Sequence, residues 1–253
     1  MSLLSKVCAL LLASAAIASE ERGLRAGYLG ADVVLFSNTT ALSQSSAQAG
    51  VDISVSLTST VAACLLTSDN LDFVIPRGYR STGAIDTAVC GSLSVAQAAG
   101  VPVRDTYMFP CPTCSKSAAV QFQELAAHLS ENCADAFSGR VWLDIEGSQY
   151  WLGDNDANRE WYQELVDACT SSEYRCGVYS SQYQWADIFG SSEYIAGSNL
   201  GLNMWYAHYD NSPSFADYPK YSFGGWTTPT AKQYQGDVDF CNVDSDRNYA
   251  VEF

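Results

Sequence analysis

The sequence predicts an α/β protein, a βα barrel with an irregular C-terminal part, and two observations carry that reading. Short apolar segments of strand length alternate with helix-like segments at intervals of about 20 to 40 residues, the pattern of a parallel sheet. Past about residue 200 the helical periodicity stops, and Gly224, Gly225, Pro229 and nearby aromatics point to an antiparallel finish. No internal repeat or interdomain linker interrupts residues 50–253, which read as one domain.

Each element has its own warrant. Strand-like runs fall at 51–55, 72–75, 101–103 running on to 107–109, 141–145, 176–179 and 203–207. Phe122, Leu125, Ala126, Leu129 and Cys133 keep i, i+3, i+4, i+7, i+11 spacing, one face of an amphipathic helix. Asp156 is the expected N-cap of a second helix that turns Trp161, Leu165 and Cys169 inward. Gly100 and Gly177 fall where helices are expected to stop. Ahead of the domain, residues 1–18 read as a targeting segment: Lys6 precedes an apolar run from Val7 to Ile17, and Ala16-Ile17-Ala18 offers small residues for cleavage. That run is shorter than a membrane-spanning helix requires, so export is expected rather than anchoring. Residues 19–49 are polar, small and aperiodic, and read as a loose leader.

Composition narrows the partners. A formal charge of −15 repels nucleic acid and anionic membranes, so neither is an expected partner, and a monomer is expected. Of nine cysteines, Cys8 lies in the targeting segment. Cys64, Cys90, Cys111, Cys114, Cys133, Cys169, Cys176 and Cys241 form an even set, which in an exported chain predicts four disulfides without choosing among their pairings. Asn38-Thr39-Thr40 is an acceptor for N-glycosylation if the export route is eukaryotic.

The candidate chemistry follows from what the chain has and lacks. Only two histidines exist, His128 on the solvent side of the amphipathic helix and His208 at a strand end, where it reads equally as a site or a surface residue. Nucleophilic devices need one of them as base, and a zinc site wants more imidazole or free thiolate, so no metal or cofactor is expected. Cys111-Pro112-Thr113-Cys114 has the spacing of a thiol redox motif, but six other mature cysteines favour structural pairing and no proline lies between Pro112 and Pro213. Carboxylates remain. Asp144 and Glu146 sit two apart on one strand, so both side chains take the same face, with backbones separated by roughly 6.6 Å. Repulsion between two acids on a buried strand raises the pKa of one, giving a protonated acid beside an ionised partner, as glycosidic cleavage requires. Asp52 interrupts another apolar strand and joins the candidate set; the structural alternative is a cap or a loop hydrogen bond.

These residues resemble a family. Gly50-Val51-Asp52-Ile53-Ser54 and Val141-Trp142-Leu143-Asp144-Ile145-Glu146 are similar to the first and fourth strands of glycoside hydrolase family 25, the lysozymes of fungi and phages among them. Asp72 to Tyr79, Tyr107 to Pro110, Gly177 to Ser180, Met204 to Tyr209, Lys232-Gln233-Tyr234 and Asp246-Arg247-Asn248 extend the likeness in order, and the cysteines resemble the eukaryotic branch. The resemblance implies an irregular barrel of five βα units plus a short antiparallel section, and hydrolysis of the β-1,4 bond between N-acetylmuramic acid and N-acetylglucosamine. It implies Glu146 as general acid, Asp144 as the residue that holds and polarises the substrate N-acetyl group, and Asp52 and Asp246 as flanking site acids. Asp244 competes for the last place; the asparagine two residues after Asp246 decides between them. Tyr107, Tyr179, Trp205 and Tyr209 match the sugar-contacting aromatics, each with a core role as its alternative. Met108 departs from the pattern, standing where the family usually has histidine.

The expectation is therefore a lysozyme acting on bacterial peptidoglycan, secreted or in an acidic vesicle such as a phagosome, with an acidic optimum because a chain of this charge lacks attraction to anionic walls. The alternatives are a chitinase-like hexosaminidase and a non-catalytic sugar-binding protein on the same barrel. The first extends its acidic motif upstream, where this chain has Val141, Trp142 and Leu143; the second has no need of Glu146.

Overall fold

The structure is a computed structural model and describes residues 24–29, 32–37 and 47–253 apart from Glu252. The targeting segment and Asn38 lie outside the described residues. Within the expected loose leader, β1 (Leu24–Leu29) and β2 (Asp32–Ser37) pair antiparallel, with Leu24 opposite Ser37 and Leu29 opposite Asp32. The run Val33-Val34-Leu35-Phe36 has strand composition that the overall polarity of the leader masks. This hairpin is a unit of its own, and the barrel is the second.

The barrel is built from β3 (Gln48–Ile53), β4 (Phe73–Arg80), with the short β5 (Ala84–Ile85) and β6 (Val103–Arg104) beside it, β7 (Thr106–Met108), β8 (Arg140–Asp144), β9 (Arg175–Ser180), β10 (Asn203–Ala207), β11 (Ala231–Phe240) and β12 (Val243–Ala250). Pairing runs β3-β4-β7-β8-β9-β10-β11 in parallel, then β12 antiparallel to both β11 and β3, which closes an eight-stranded barrel. Helices α1 (Ser59–Asp69), α2 (Val89–Ala99), α3 (Ala118–Asn132), α4 (Asn155–Thr170) and α5 (Gln182–Phe189) follow β3, β4, β7, β8 and β9, giving five βα units and then the antiparallel finish. One further turn of helix, α6 (Tyr218–Tyr221), lies past residue 200, where none was expected.

Alternation along the strands divides the interior into two layers. Phe73, Ile75, Tyr107, Trp142, Tyr179 and Trp205 point into the barrel, while Val141, Leu143, Val178, Met204 and Tyr206 pack outward against the helices. The bulk inside is accommodated by glycine on the neighbouring strand. A Cβ at Gly50 would lie 2.2 Å from the Phe73 ring, and one at Gly177 would lie 2.3 Å from Trp142. Gly177 is thus a strand residue of β9 rather than a helix stop; α4 ends at Thr170, and only Gly100, with φ of 91°, caps a helix as expected. Met108 turns to the outer layer and is buried under the helices, so its departure from the family pattern never reaches the interior.

Helix starts follow side-chain chemistry. Thr58, Ser117, Asp154 and Ser181 each accept a backbone N–H from the first turn of α1, α3, α4 and α5. The α4 cap is Asp154, not Asp156; the extended backbone at Asp154 lets its carboxylate reach the Ala157 N–H at 2.8 Å, while Asp156 sits exposed in the first turn and pairs with Arg159. Its buried face is Asn158, Tyr162, Leu165, Val166 and Cys169, so Trp161 packs at the margin against Trp151 instead of facing inward. All eight cysteines pair: Cys64–Cys241, Cys90–Cys133, Cys111–Cys114 and Cys169–Cys176. The first joins α1 to the β11–β12 turn across 177 residues, and the Cys111–Cys114 spacing that imitates a redox motif closes a local loop after β7.

Candidate active site

The parallel strands aim their C-terminal ends at one mouth of the barrel, where βα folds place their chemistry. Asp52 is the penultimate residue of β3, Asp144 the last of β8, and Glu146 lies two residues further on. Asp246 on β12 stands directly opposite Asp52 in the antiparallel register, whereas Asp244 pairs with Asp239 toward the exposed end of the hairpin. A cavity of about 80 Å³ is lined by Asp52, Tyr107, Asp144, Glu146, Tyr179, Trp205, Tyr209 and Asp246, all eight candidates, and by Gln233. Glu146, Tyr179 and Tyr209 also line a larger cavity of about 360 Å³, which continues past Ser181, Tyr183, Gln184, His208 and Tyr221. Glu146 therefore stands where a small acid-lined pocket meets an open groove.

Gln233 holds the acids in place. Its amide nitrogen donates to Asp52 and Asp246, both at 2.9 Å, and its amide oxygen accepts from the hydroxyls of Tyr179 and Tyr209. All four hydrogen-bonding capacities of that side chain are used. Asn248 adds a 2.7 Å bond to Asp52 and accepts from the Trp205 indole N–H at 2.8 Å, so Trp205 is fixed as a wall of the pocket while 2% exposed. The sequence pointed to Asn248 only as a marker for Asp246 and missed Gln233; the available signal was a polar residue at an inward position of β11 between the buried Ala231 and the mouth.

Four carboxyls in so small a space hold protons that isolated ones would lose. Burial, then the charge of Asp246, pushes Glu146 up to about 6. Burial raises Asp144 well above the ordinary range, and Glu146 and Asp52 add to it, with Arg77 pulling the other way. Asp52 is raised by burial and by Asp246, against the bonds from Asn248 and Gln233. Asp246 is raised by burial, opposed by its bond from the Asp237 N–H. Arg77, on β4, is engaged by Asp86 at 2.9 Å and by the Ser54 carbonyl at 2.9 Å. One oxygen of Asp144 is buried with no hydrogen-bond partner among the described residues, an acceptor left for something that enters. The arrangement can deliver a proton from Glu146 and receive an N–H at Asp144. Of the two histidines, His208 stands in the groove and His128 is half-buried on α3, its Nδ1 against Asn132.

Comparison with known proteins gives the family. A family model described as Lysozyme-like protein 1 matches residues 43–234. Two proteins of Dictyostelium discoideum, Probable GH family 25 lysozyme 2 and Probable GH family 25 lysozyme 4, are 41% and 40% identical over 204 and 200 residues, which cover 81% and 79% of this chain and 91% and 89% of theirs. Among solved structures, the Clostridium perfringens spore cortex lytic enzyme SleM superposes with a TM-score of 0.62 at 19% identity, over 81% of this chain and 67% of that one, a likeness of fold. With the family model covering most of the chain and relatives at about 40% identity over nearly their whole length, this protein belongs to the glycoside hydrolase family 25 lysozymes.

Proposed function

We propose that this glycoside hydrolase is a secreted N-acetylmuramidase that cuts the β-1,4 bond between N-acetylmuramic acid and N-acetylglucosamine in bacterial peptidoglycan. The observation that carries the reading is Glu146, held protonated up to about pH 6 where the acid pocket opens into the groove. There it protonates the bridging oxygen, which leaves with the sugar in the groove as the C1–O bond breaks. The carbonyl oxygen of the substrate's own N-acetyl group forms the new bond to C1. Asp144 receives the acetamido N–H on its unpartnered oxygen, which favours its ionised form and leaves the shared proton with Glu146. Water then attacks C1 as the bond from C1 to the acetamido oxygen breaks and restores the N-acetyl group, and the water gives its proton to Glu146, so the anomeric configuration is retained. Burial and the charge of Asp246 keep Glu146 protonated, Asp52 shares the Gln233 amide with Asp246, and Tyr107, Tyr179, Trp205 and Tyr209 offer flat apolar faces to the sugar rings.

Secretion is supported by the layout of residues 1–18 and by four disulfides, which persist in oxidising compartments. Among the described residues no helix is long and apolar enough to cross a membrane. An acidic vesicle such as a phagosome suits both the charge of −15 and a general acid that ionises near pH 6. The test is digestion of purified Gram-positive walls at pH 5 with identification of the new reducing ends. Muramic acid at those ends supports the reading. Glucosamine ends, or no release by folded protein between pH 4 and 7.5, contradict it.

A further inference from the structure

The sequence singles out His208, and the reaction does not explain its place. It follows β10, its backbone N–H donates to the Gln233 carbonyl, and its ring lines the 360 Å³ groove beyond Glu146. The ring is fixed on two sides. Nδ1 lies 2.6 Å from Asp217 and 3.6 Å from Asp210, and Tyr221 stacks on one face with ring centroids 3.7 Å apart.

Both aspartates are in turn held by Lys232, whose side chain is fully buried. Its ammonium lies 2.8 Å from Asp210 and 2.9 Å from Asp217, and the Tyr206 hydroxyl donates to Asp217 at 2.8 Å. His208, Asp210 and Asp217 offer three ligand atoms within 4.8 Å of one another, but the ammonium already engages one oxygen of each carboxylate. Burying a lysine is costly unless its partners are well placed, and here the partners converge on one imidazole. Lys232 and Gln233 are adjacent on β11 and serve opposite sides of the mouth: Gln233 holds the acids, Lys232 holds the carboxylates that hold His208.

With Nδ1 committed to Asp217, Nε2 has no partner among the described residues and is left for the groove. Tyr183 and Tyr209, 74% and 57% exposed, complete an aromatic rim around it. A volume of about 360 Å³ lies in the range of small-molecule sites.

Resting on the muramidase reading, we propose that His208 is a specificity-determining residue that hydrogen-bonds through Nε2 to the sugar on the leaving-group side of the cleaved bond, with Asp217 and Lys232 as its positioning residues. A sugar hydroxyl can both donate and accept, so it pairs with Nε2 in whichever role the ring presents. The contact is made only by a glycan long enough to pass Glu146 into the groove.

The test uses full-length protein carrying Glu146→Gln, which binds without turnover, and two probes measured by calorimetry. One is the disaccharide N-acetylglucosaminyl-N-acetylmuramic acid; the other is its tetrasaccharide, which crosses the cleavage point. Adding His208→Ala should weaken the tetrasaccharide about 10-fold, one good hydrogen bond, and leave the disaccharide unchanged. Asp217→Asn, shown to be folded by circular dichroism, should lose a smaller part of the same difference, and His208→Gln should restore some of it. Equal tetrasaccharide affinity with and without His208, or an equal loss for both probes, overturns the proposal. If the parent with His208 intact binds neither glycan, the muramidase reading fails and takes this proposal with it.

Discussion

Two buried carboxylate sites on the same barrel behave in opposite ways. Asp86, 1% exposed, receives Arg77 at 2.9 Å, Arg80 at 3.0 Å and the Ala88 N–H; burial pushes its carboxyl up, but these bonds outweigh burial and hold it below the usual range. Asp52, 7% exposed, is held by neutral amides and faces Asp246, and its carboxyl rises. Burial is common to both, so the neighbours decide the sign. A cluster stabilised by cations is an anchor; one held only by amides keeps protons to give. The fold spends stability at the mouth that it gains at Asp86.

The largest effect expected from this contrast is on rate. Glu146→Gln removes the transferable proton and should lower kcat on cell walls about 10³-fold, a general-acid contribution, in a protein that still folds. Next is Asp86→Ala, which leaves Arg77 facing a buried gap and should cost about 3 kcal/mol, seen as a fall in Tm of about 10 °C. A fall of only a degree or two would show that Asp86 is no anchor.

A third, smaller effect has the reverse sign. Glu146 rises from 4.5 to about 6 on folding, so the folded state binds more protons than the unfolded between those values. That stability is fully present below pH 4.5 and is lost as pH rises through about 6. Asp52, Asp144 and Asp246 shift in the same direction and add to the decline. Tm should fall from acid to neutral pH, and Glu146→Gln should stabilise by about 2 kcal/mol at pH 7.5 and by almost nothing at pH 4. A Tm that climbs toward neutral pH would contradict the crowding. Smallest is Tyr209→Phe, which removes one of the two hydroxyls on Gln233 and should cost about 1 kcal/mol, read as a few-fold loss in kcat/KM.

Much of this contrast was legible in the sequence, and the rest was not for identifiable reasons. The acids Asp52, Asp144 and Glu146 stand out because they interrupt apolar strands, and the alternation that exposes them also fixes which way they point. Asp86 stands out less: it lies in the turn between β5 and α2, where an acid is ordinary, and its arginine partners are visible only in three dimensions. Gln233 was hidden because one polar residue at an inward strand position does not reveal its four partners, which converge from β3, β9, β12 and the segment after β10. Asp156 reads as a cap because an acid ahead of a helical run is usually one, but Asp154 precedes the same run and is the cap, and Tyr162 rather than Trp161 lies on the buried face. Gly177 read as a stop because glycine usually punctuates; here it makes room for Trp142.

The most direct test of the crowded-acid account is the pH profile of kcat/KM on the soluble tetrasaccharide, for the wild type and Asp246→Asn. The wild type should lose activity above about pH 6, as Glu146 ionises, and Asp246→Asn, lacking the charge that helps raise Glu146, should lose it at lower pH. An alkaline limb that stays in place in the variant, or a wild-type limb near the 4.5 of an ordinary glutamate, would contradict the claim that neighbouring acids keep the proton on Glu146.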